Sequence, residues 1–358
     1  MSVREAHDIA AASRLVRGGI REARHRAGGG YCRSAIREPE SGRAGREQGY
    51  ADDQRQFAQF HAVPKKQIRT LTRYHARTMR SVRFQACGGV TLAASVGGEE
   101  SAPPVILMHG GGQTRHSWGT AACELVEAGF RVISLDLRGH GESDWSPSGD
   151  YSMEGYANDL RAVAATLDKP PALVGASLGG MTSLMAVGEM KMPARALVLV
   201  DVVPKMEREG AERIGEFMRA NPHGFANLEE VADAVSRYIS HRPRPSNIEG
   251  LRKNVRMKDD GRLYWHWDPK IAEKMGRSVP EREGFLERMA RAARGVQVPT
   301  LLVRGKLSEV VSEEGVADLR RLIPHVEFID VAGAGHMVAG DDNDAFNSAV
   351  ESFLARFH

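Results

Sequence analysis

From residue 104 onward the chain alternates short, continuously apolar runs with longer stretches whose apolar residues recur at helical spacing. Val105-Ile106-Leu107-Met108 and Leu197-Val198-Leu199-Val200 have no polar face at all. Such runs suit parallel strands covered by helices on both sides. The pattern predicts strands at 82–86, 90–95, 104–108, 131–135, 172–176, 196–201, 299–304 and 326–331. Helices are expected at 117–128, 152–167, 178–190, 312–322 and 341–357. The first two strands are amphipathic, which suggests an antiparallel hairpin at one edge. The fold class expected is α/β: a mostly parallel eight-stranded sheet with helices on both faces.

The rhythm breaks twice. Between Asp201 and Thr300 there is no convincing strand, only charged, helical sequence punctuated by Pro243 and Pro245. An insertion of that length would form a helical cap over the carboxyl edge of the sheet, where open α/β sheets bind ligands. The other break is residues 1–78, which are rich in Arg, Gly and Ala and poor in strand formers. Three readings compete for them: a flexible basic tail, a targeting segment, or sequence translated upstream of a true start at Met79. A disordered or non-native extension is the expectation. The organisation expected is therefore an extension at 1–78, a core at 79–204 and 299–358, and a cap at 205–298.

Charge follows the same division. Residues 1–80 hold 17 Lys/Arg against 8 Asp/Glu, while the remainder holds 32 against 38. The globular part thus has no electrostatic reason to bind nucleic acid. No apolar run approaches the ~20 residues needed to span a bilayer, and the N-terminus lacks the apolar core of a signal peptide. Cys32, Cys87 and Cys123 are scattered, without metal-ligand or redox spacing, which fits a cytoplasmic location. The partner expected is a small-molecule substrate, with no nucleic acid, membrane or metal, and with a homodimer left open.

Candidate chemistry centres on Gly175-Ala176-Ser177-Leu178-Gly179, which ends the apolar run at 172–176. A tight strand-to-helix turn there would lift the Ser177 hydroxyl clear of the sheet at a helix N-terminus, where developing negative charge is favoured. His109-Gly110-Gly111-Gly112 follows the strand at 104–108. The N–H of Gly111, with that of Leu178, could hold an oxyanion. His336 follows the last strand on a Gly-rich loop and could reach Ser177 as a base. An acid must orient that imidazole. Glu309, after the strand at 299–304, is the first choice, and Asp201, ending the strand at 196–201, is the alternative.

Together these segments resemble the α/β-hydrolase superfamily, from about residue 80 to the C-terminus. Asp136-Leu137-Arg138-Gly139-His140-Gly141-Glu142-Ser143 is similar to the superfamily's turn after its fourth strand, where Arg138 and the glycines shape the loop beneath the cavity. The resemblance implies Ser177 as nucleophile, His336 as general base, Gly111 and Leu178 as oxyanion donors, and no cofactor. Family members commonly carry Asp three residues past the glycine where this chain has Ser308, followed by Glu309. Ser at 177, where related epoxide hydrolases and dehalogenases carry Asp, argues against both of those chemistries. The expected activity is hydrolysis of a carboxylic ester or lactone. Carbon–carbon bond hydrolysis of a ring-cleavage diketone and a non-catalytic ligand receptor are the alternatives. Substrate contacts are expected from Gly112, Arg115 and Trp118 after the oxyanion loop, and from Trp265, His266 and Trp267 in the cap's aromatic run. Gln113 and His116 are further candidates.

Overall fold

The computed structural model describes residues 79–239, 244, 247–273, 279–332, 334–336 and 344–357. The extension at 1–78 and most of the proline-punctuated stretch at 241–245 lie outside them. The strands are β1 (Arg80–Gln85), β2 (Thr91–Gly97), β3 (Pro104–Met108), β4 (Arg131–Leu135), β5 (Ala172–Ala176), β6 (Ala196–Val200), the short β7 (Val255–Met257) and β8 (Leu263–Trp265), β9 (Thr300–Gly305) and β10 (Glu327–Val331). Eight form one sheet in the order β1-β2-β4-β3-β5-β6-β9-β10. The β1–β2 and β2–β4 pairs are antiparallel and every other neighbour is parallel.

Every residue of β3, β5, β6 and β9 is buried. Alternate side chains therefore feed two cores. Ile106, Met108, Leu197 and Leu199 enter one; Val105, Leu107, Val198 and Val200 enter the other. Fully burying one such side chain is worth about 1.5–3 kcal/mol, so the central strands have strong reason to stay in register. Helices α1 (Gly119–Glu127), α2 (Met153–Ala164), α3 (Leu178–Leu184), α4 (Arg208–Arg219), α5 (Leu228–Tyr238), α6 (Pro269–Glu273), α7 (Val279–Arg294), α8 (Glu313–Leu322) and α9 (Asp344–Leu354) complete the described fold. Side chains cap three of them: Ser152 accepts from Gly155 N–H (3.1 Å), Asn227 from Glu230 N–H (3.0 Å) and Ser312 from Gly315 N–H (3.2 Å).

Two expectations needed correction. The helix after Ser177 is α-helical only to Leu184 and continues as a π turn, Met185–Glu189. The insertion between β6 and β9 also holds strands: β7 and β8 form an antiparallel hairpin. Each is three residues long, too short to register as an apolar run. On α7, Arg288 ties the insertion to the core by pairing with Glu189 (2.6 Å) and with Glu154 on α2. Among the described residues no helix is long and apolar enough to cross a membrane.

Candidate active site

Ser177 sits in the turn between β5 and α3 with φ 45° and ψ −107°, a region that residues other than glycine rarely occupy. Close packing enforces the turn. A Cβ on Gly175 would lie 2.4 Å from the Gly179 carbonyl carbon, and one on Gly179 would lie 2.4 Å from the Met108 carbonyl oxygen. Small residues two positions either side of Ser177 are therefore a steric requirement. The turn leaves Ser177 lining a cavity of about 420 Å³ that also includes His336.

His336 faces Asp201. Its Nδ1 lies 2.7 Å from Asp201 Oδ2. Asp201 is 0% exposed, with φ 47° at the end of β6, and its carboxylate accepts two further hydrogen bonds. Gly305 N–H donates to Oδ1 (3.1 Å) and Ser308 Oγ to Oδ2 (2.6 Å). The preference for Glu309 is thereby corrected. Glu309 turns outward, its side chain 62% exposed and paired with Arg213 on α4. At the turn after β9 it is Ser308 that points inward, and it supports the carboxylate of the neighbouring strand.

The loop after β3 distributes its N–H groups unevenly. Gly110 N–H donates to Gln113 Oε1 (2.9 Å) and Gly112 N–H to His140 Nε2 (3.2 Å). No acceptor among the described residues takes the N–H of Gly111 or of Leu178. The two donors read from the sequence are thus available to a ligand. A hydroxyl at a helix start, an imidazole held by a buried carboxylate, and available backbone donors are the parts that nucleophilic acyl transfer needs.

The substrate contacts expected from the sequence divide. Gly112, Gln113, His116, Trp265 and Trp267 line the cavity. The two tryptophans stack on each other, with centroids 4.8 Å apart and planes at 13°, and Phe217 packs against both at 5.2 and 5.9 Å. Arg115, Trp118 and His266 do not reach the cavity. The 3-10 turn Arg115–Trp118 directs Arg115 and Trp118 beneath the loop. Arg115 is 5% exposed and bound to Asp136 and Glu142. Trp118 packs on Phe346 (6.2 Å) in the second core. His266, 1% exposed, accepts from Gly141 N–H (2.7 Å). Arg138 is structural, with its guanidinium held by both Asp159 oxygens at 2.6 Å. Ile214, Phe217, Val235 and Tyr238 on α4 and α5, which supply much of the apolar wall, were not anticipated. Their helical spacing was visible, but not which face meets the sheet.

A family model described as alpha/beta hydrolase fold matches residues 103–342. The chain is 31% identical over 262 residues to Esterase Rv0045c of Mycobacterium tuberculosis, covering 71% of this chain and 83% of that protein. It is 28% identical over 249 residues to a 3-hydroxybutyrate-oligomer hydrolase of Cupriavidus necator, covering 67% of this chain and 84% of the relative. Among solved structures, E-2-(acetamidomethylene)succinate hydrolase superposes with a TM-score of 0.68 at 25% identity, over 78% of this chain and 100% of that one.

Proposed function

The chain belongs to the alpha/beta hydrolase family, and on that premise we propose that it is a serine hydrolase cleaving a carboxylic ester or lactone through an acyl-enzyme. The observation that carries the reading is the buried Asp201 carboxylate on His336 Nδ1, across a cavity that Ser177 also lines. Asp201 fixes the imidazole with its proton on Nδ1, so Nε2 is left to accept the Ser177 proton. Ser177 Oγ then attacks the carbonyl carbon, and the carbonyl electron pair moves to oxygen, where the N–H groups of Gly111 and Leu178 receive it. Collapse expels the alkoxide, which takes the proton from His336. A water activated by the same imidazole then releases the acid.

The relatives' names support hydrolysis, of esters among other substrates, without fixing the acyl group. The wall formed by Phe217, Tyr238, Trp265 and Trp267 suits an apolar acyl chain. Lys253 is the one lining side chain with a full charge among the described residues, and it suits a substrate that is neutral or anionic rather than cationic.

The test is turnover of short p-nitrophenyl esters and labelling by a fluorophosphonate. Both should occur in the wild type and vanish in Ser177→Ala. A folded wild type that is inert and unlabelled sinks the reading. Turnover of a dienoate diketone with poor ester activity would transfer it to carbon–carbon bond hydrolysis.

A further inference from the structure

Three buried histidines that the mechanism does not use form a row beneath the loop carrying Gly111. His109, His140 and His266 are 0%, 0% and 1% exposed. Ring centroids are 5.1 Å apart between His109 and His140, and 6.0 Å between His140 and His266. They come from the end of β3, the loop after β4 and the insertion after β8. Each ring accepts one backbone N–H: Leu137 to His109 Nε2 (3.0 Å), Gly112 to His140 Nε2 (3.2 Å) and Gly141 to His266 Nδ1 (2.7 Å). An accepting ring nitrogen carries no proton, so each neutral ring bears its proton on the other nitrogen. His109 Nδ1 then donates to the Gly110 carbonyl (2.7 Å) and His140 Nδ1 to the Arg138 carbonyl (3.0 Å). Burial supports the neutral forms, lowering His109 to about 4 and His140 to about 3.

The consequence falls on one peptide plane. The N–H of Gly111 shares its peptide with the Gly110 carbonyl, and in a trans peptide the two point in opposite directions. His109 Nδ1–H and Gln113 N–H (3.1 Å) both bind that carbonyl, so they aim the Gly111 N–H the other way. The next peptide is held by its own N–H on His140. With the planes at 110–111 and 111–112 both fixed, the Gly111 donor cannot swing. His266 anchors the loop bearing His140 through Gly141, and so connects the arrangement to the insertion above the sheet.

We propose that His140 is a positioning residue of the oxyanion hole, holding Gly112 so that the Gly111 N–H stays aimed at the substrate's developing oxyanion. His266 extends that control to the insertion. The proposal rests on the serine-hydrolase reading, and its failure looks different. Loss of that reading shows as an inert wild type with Ser177 unlabelled, whereas loss of this one shows as an active wild type matched by its His140 variants.

The experiment compares His140→Leu and His140→Gln with the wild type on p-nitrophenyl butyrate, measured well below each protein's melting temperature. Removing an oxyanion donor outright typically lowers kcat by about 10²–10³, so a donor left loosely aimed by Leu should lower it by about tenfold to a hundredfold. KM should stay within about twofold, and Gln, whose carbonyl can accept from Gly112 N–H, should recover most of the rate. A folded Leu variant with wild-type kcat overturns the proposal, as does a kcat loss that Gln does not relieve. Should the Leu variant not fold, Gln and Asn carry the test, because Asn is one methylene shorter. Gln should retain more kcat than Asn, and equal rates would overturn the proposal.

Discussion

The floor and the roof of the cavity hold their groups by different means. On the floor, Ser177 and Asp201 follow the wholly buried strands β5 and β6, and the Gly111 loop follows β3. Their positions are set by sheet register and by hydrogen bonds such as those of Gly305 and Ser308 to Asp201. The roof is assembled from side chains packing on one another: Phe217 stacks on Tyr238 at 4.2 Å, and Trp265 on Trp267 at 4.8 Å. Backbone-held groups are reproducible to fractions of an ångström, which chemistry requires. Packed rings are replaceable by other apolar shapes at modest cost. The floor should therefore govern turnover and the roof selection.

The largest expected effect sets the two candidate acids against each other. Asp201→Asn should lower kcat by about 10⁴-fold with little change in KM, the loss known for the equivalent change in other triads. Glu309→Gln removes only an exposed ion pair, worth about 0–1 kcal/mol, and should leave kcat within about twofold. A reversed outcome in steady-state kinetics would return the acid to Glu309.

The junction of floor and roof should respond to acid. His109, His140 and His266 are held below the ordinary histidine value in the fold, chiefly by burial. Between pH 6.5 and about 4 the unfolded chain binds protons that the native state refuses. Stability contributed by the neutral rings is thus complete above pH 6.5 and declines on acidification, by at most about 1.4 kcal/mol per pH unit for each histidine. Thermal melts at pH 7.5, 6 and 5 should fall in that order, and less steeply in His140→Gln. Parallel curves for the two proteins would remove His140 from the account.

Roof changes should be smaller and should sort by substrate. Phe217→Leu thins the apolar wall, and should raise KM for a longer-chain ester about fourfold, the equivalent of about one buried methylene, while kcat holds. A fall in kcat alone would blur the division. Smallest of all, Lys253→Met should raise KM about twofold for an ester bearing a free carboxylate and leave its neutral analogue unchanged. That gap should narrow in high salt, because Lys253 is exposed and its field is screened.

Much of the floor was legible in the sequence because strand register is written as continuous apolar runs, and Ser177 and Gly111 each follow one, while His336 was marked by the Gly-rich loop after the last, mixed strand. What could not be read were directions of turning. The positive φ of Asp201 and the inward Ser308 decide which carboxylate meets His336, and neither has a linear signature. Arg115 was expected at the substrate because it follows the glycine loop, yet the 3-10 turn sends it to Asp136. The roof was less legible still. Its tryptophans were conspicuous as an aromatic run, but the α4 and α5 faces beside them depend on tertiary packing that periodicity does not encode.

Ser308 has an implication for how such sites change over time. Its hydroxyl lies 2.6 Å from the Asp201 carboxylate, so a carboxylate at position 308 would occupy nearly the same space. The imidazole could therefore take its anionic partner from either of two adjacent strands, one acid at a time. The sheet edge would then offer two interchangeable seats for one negative charge, and evolution could move the occupant without moving the reaction.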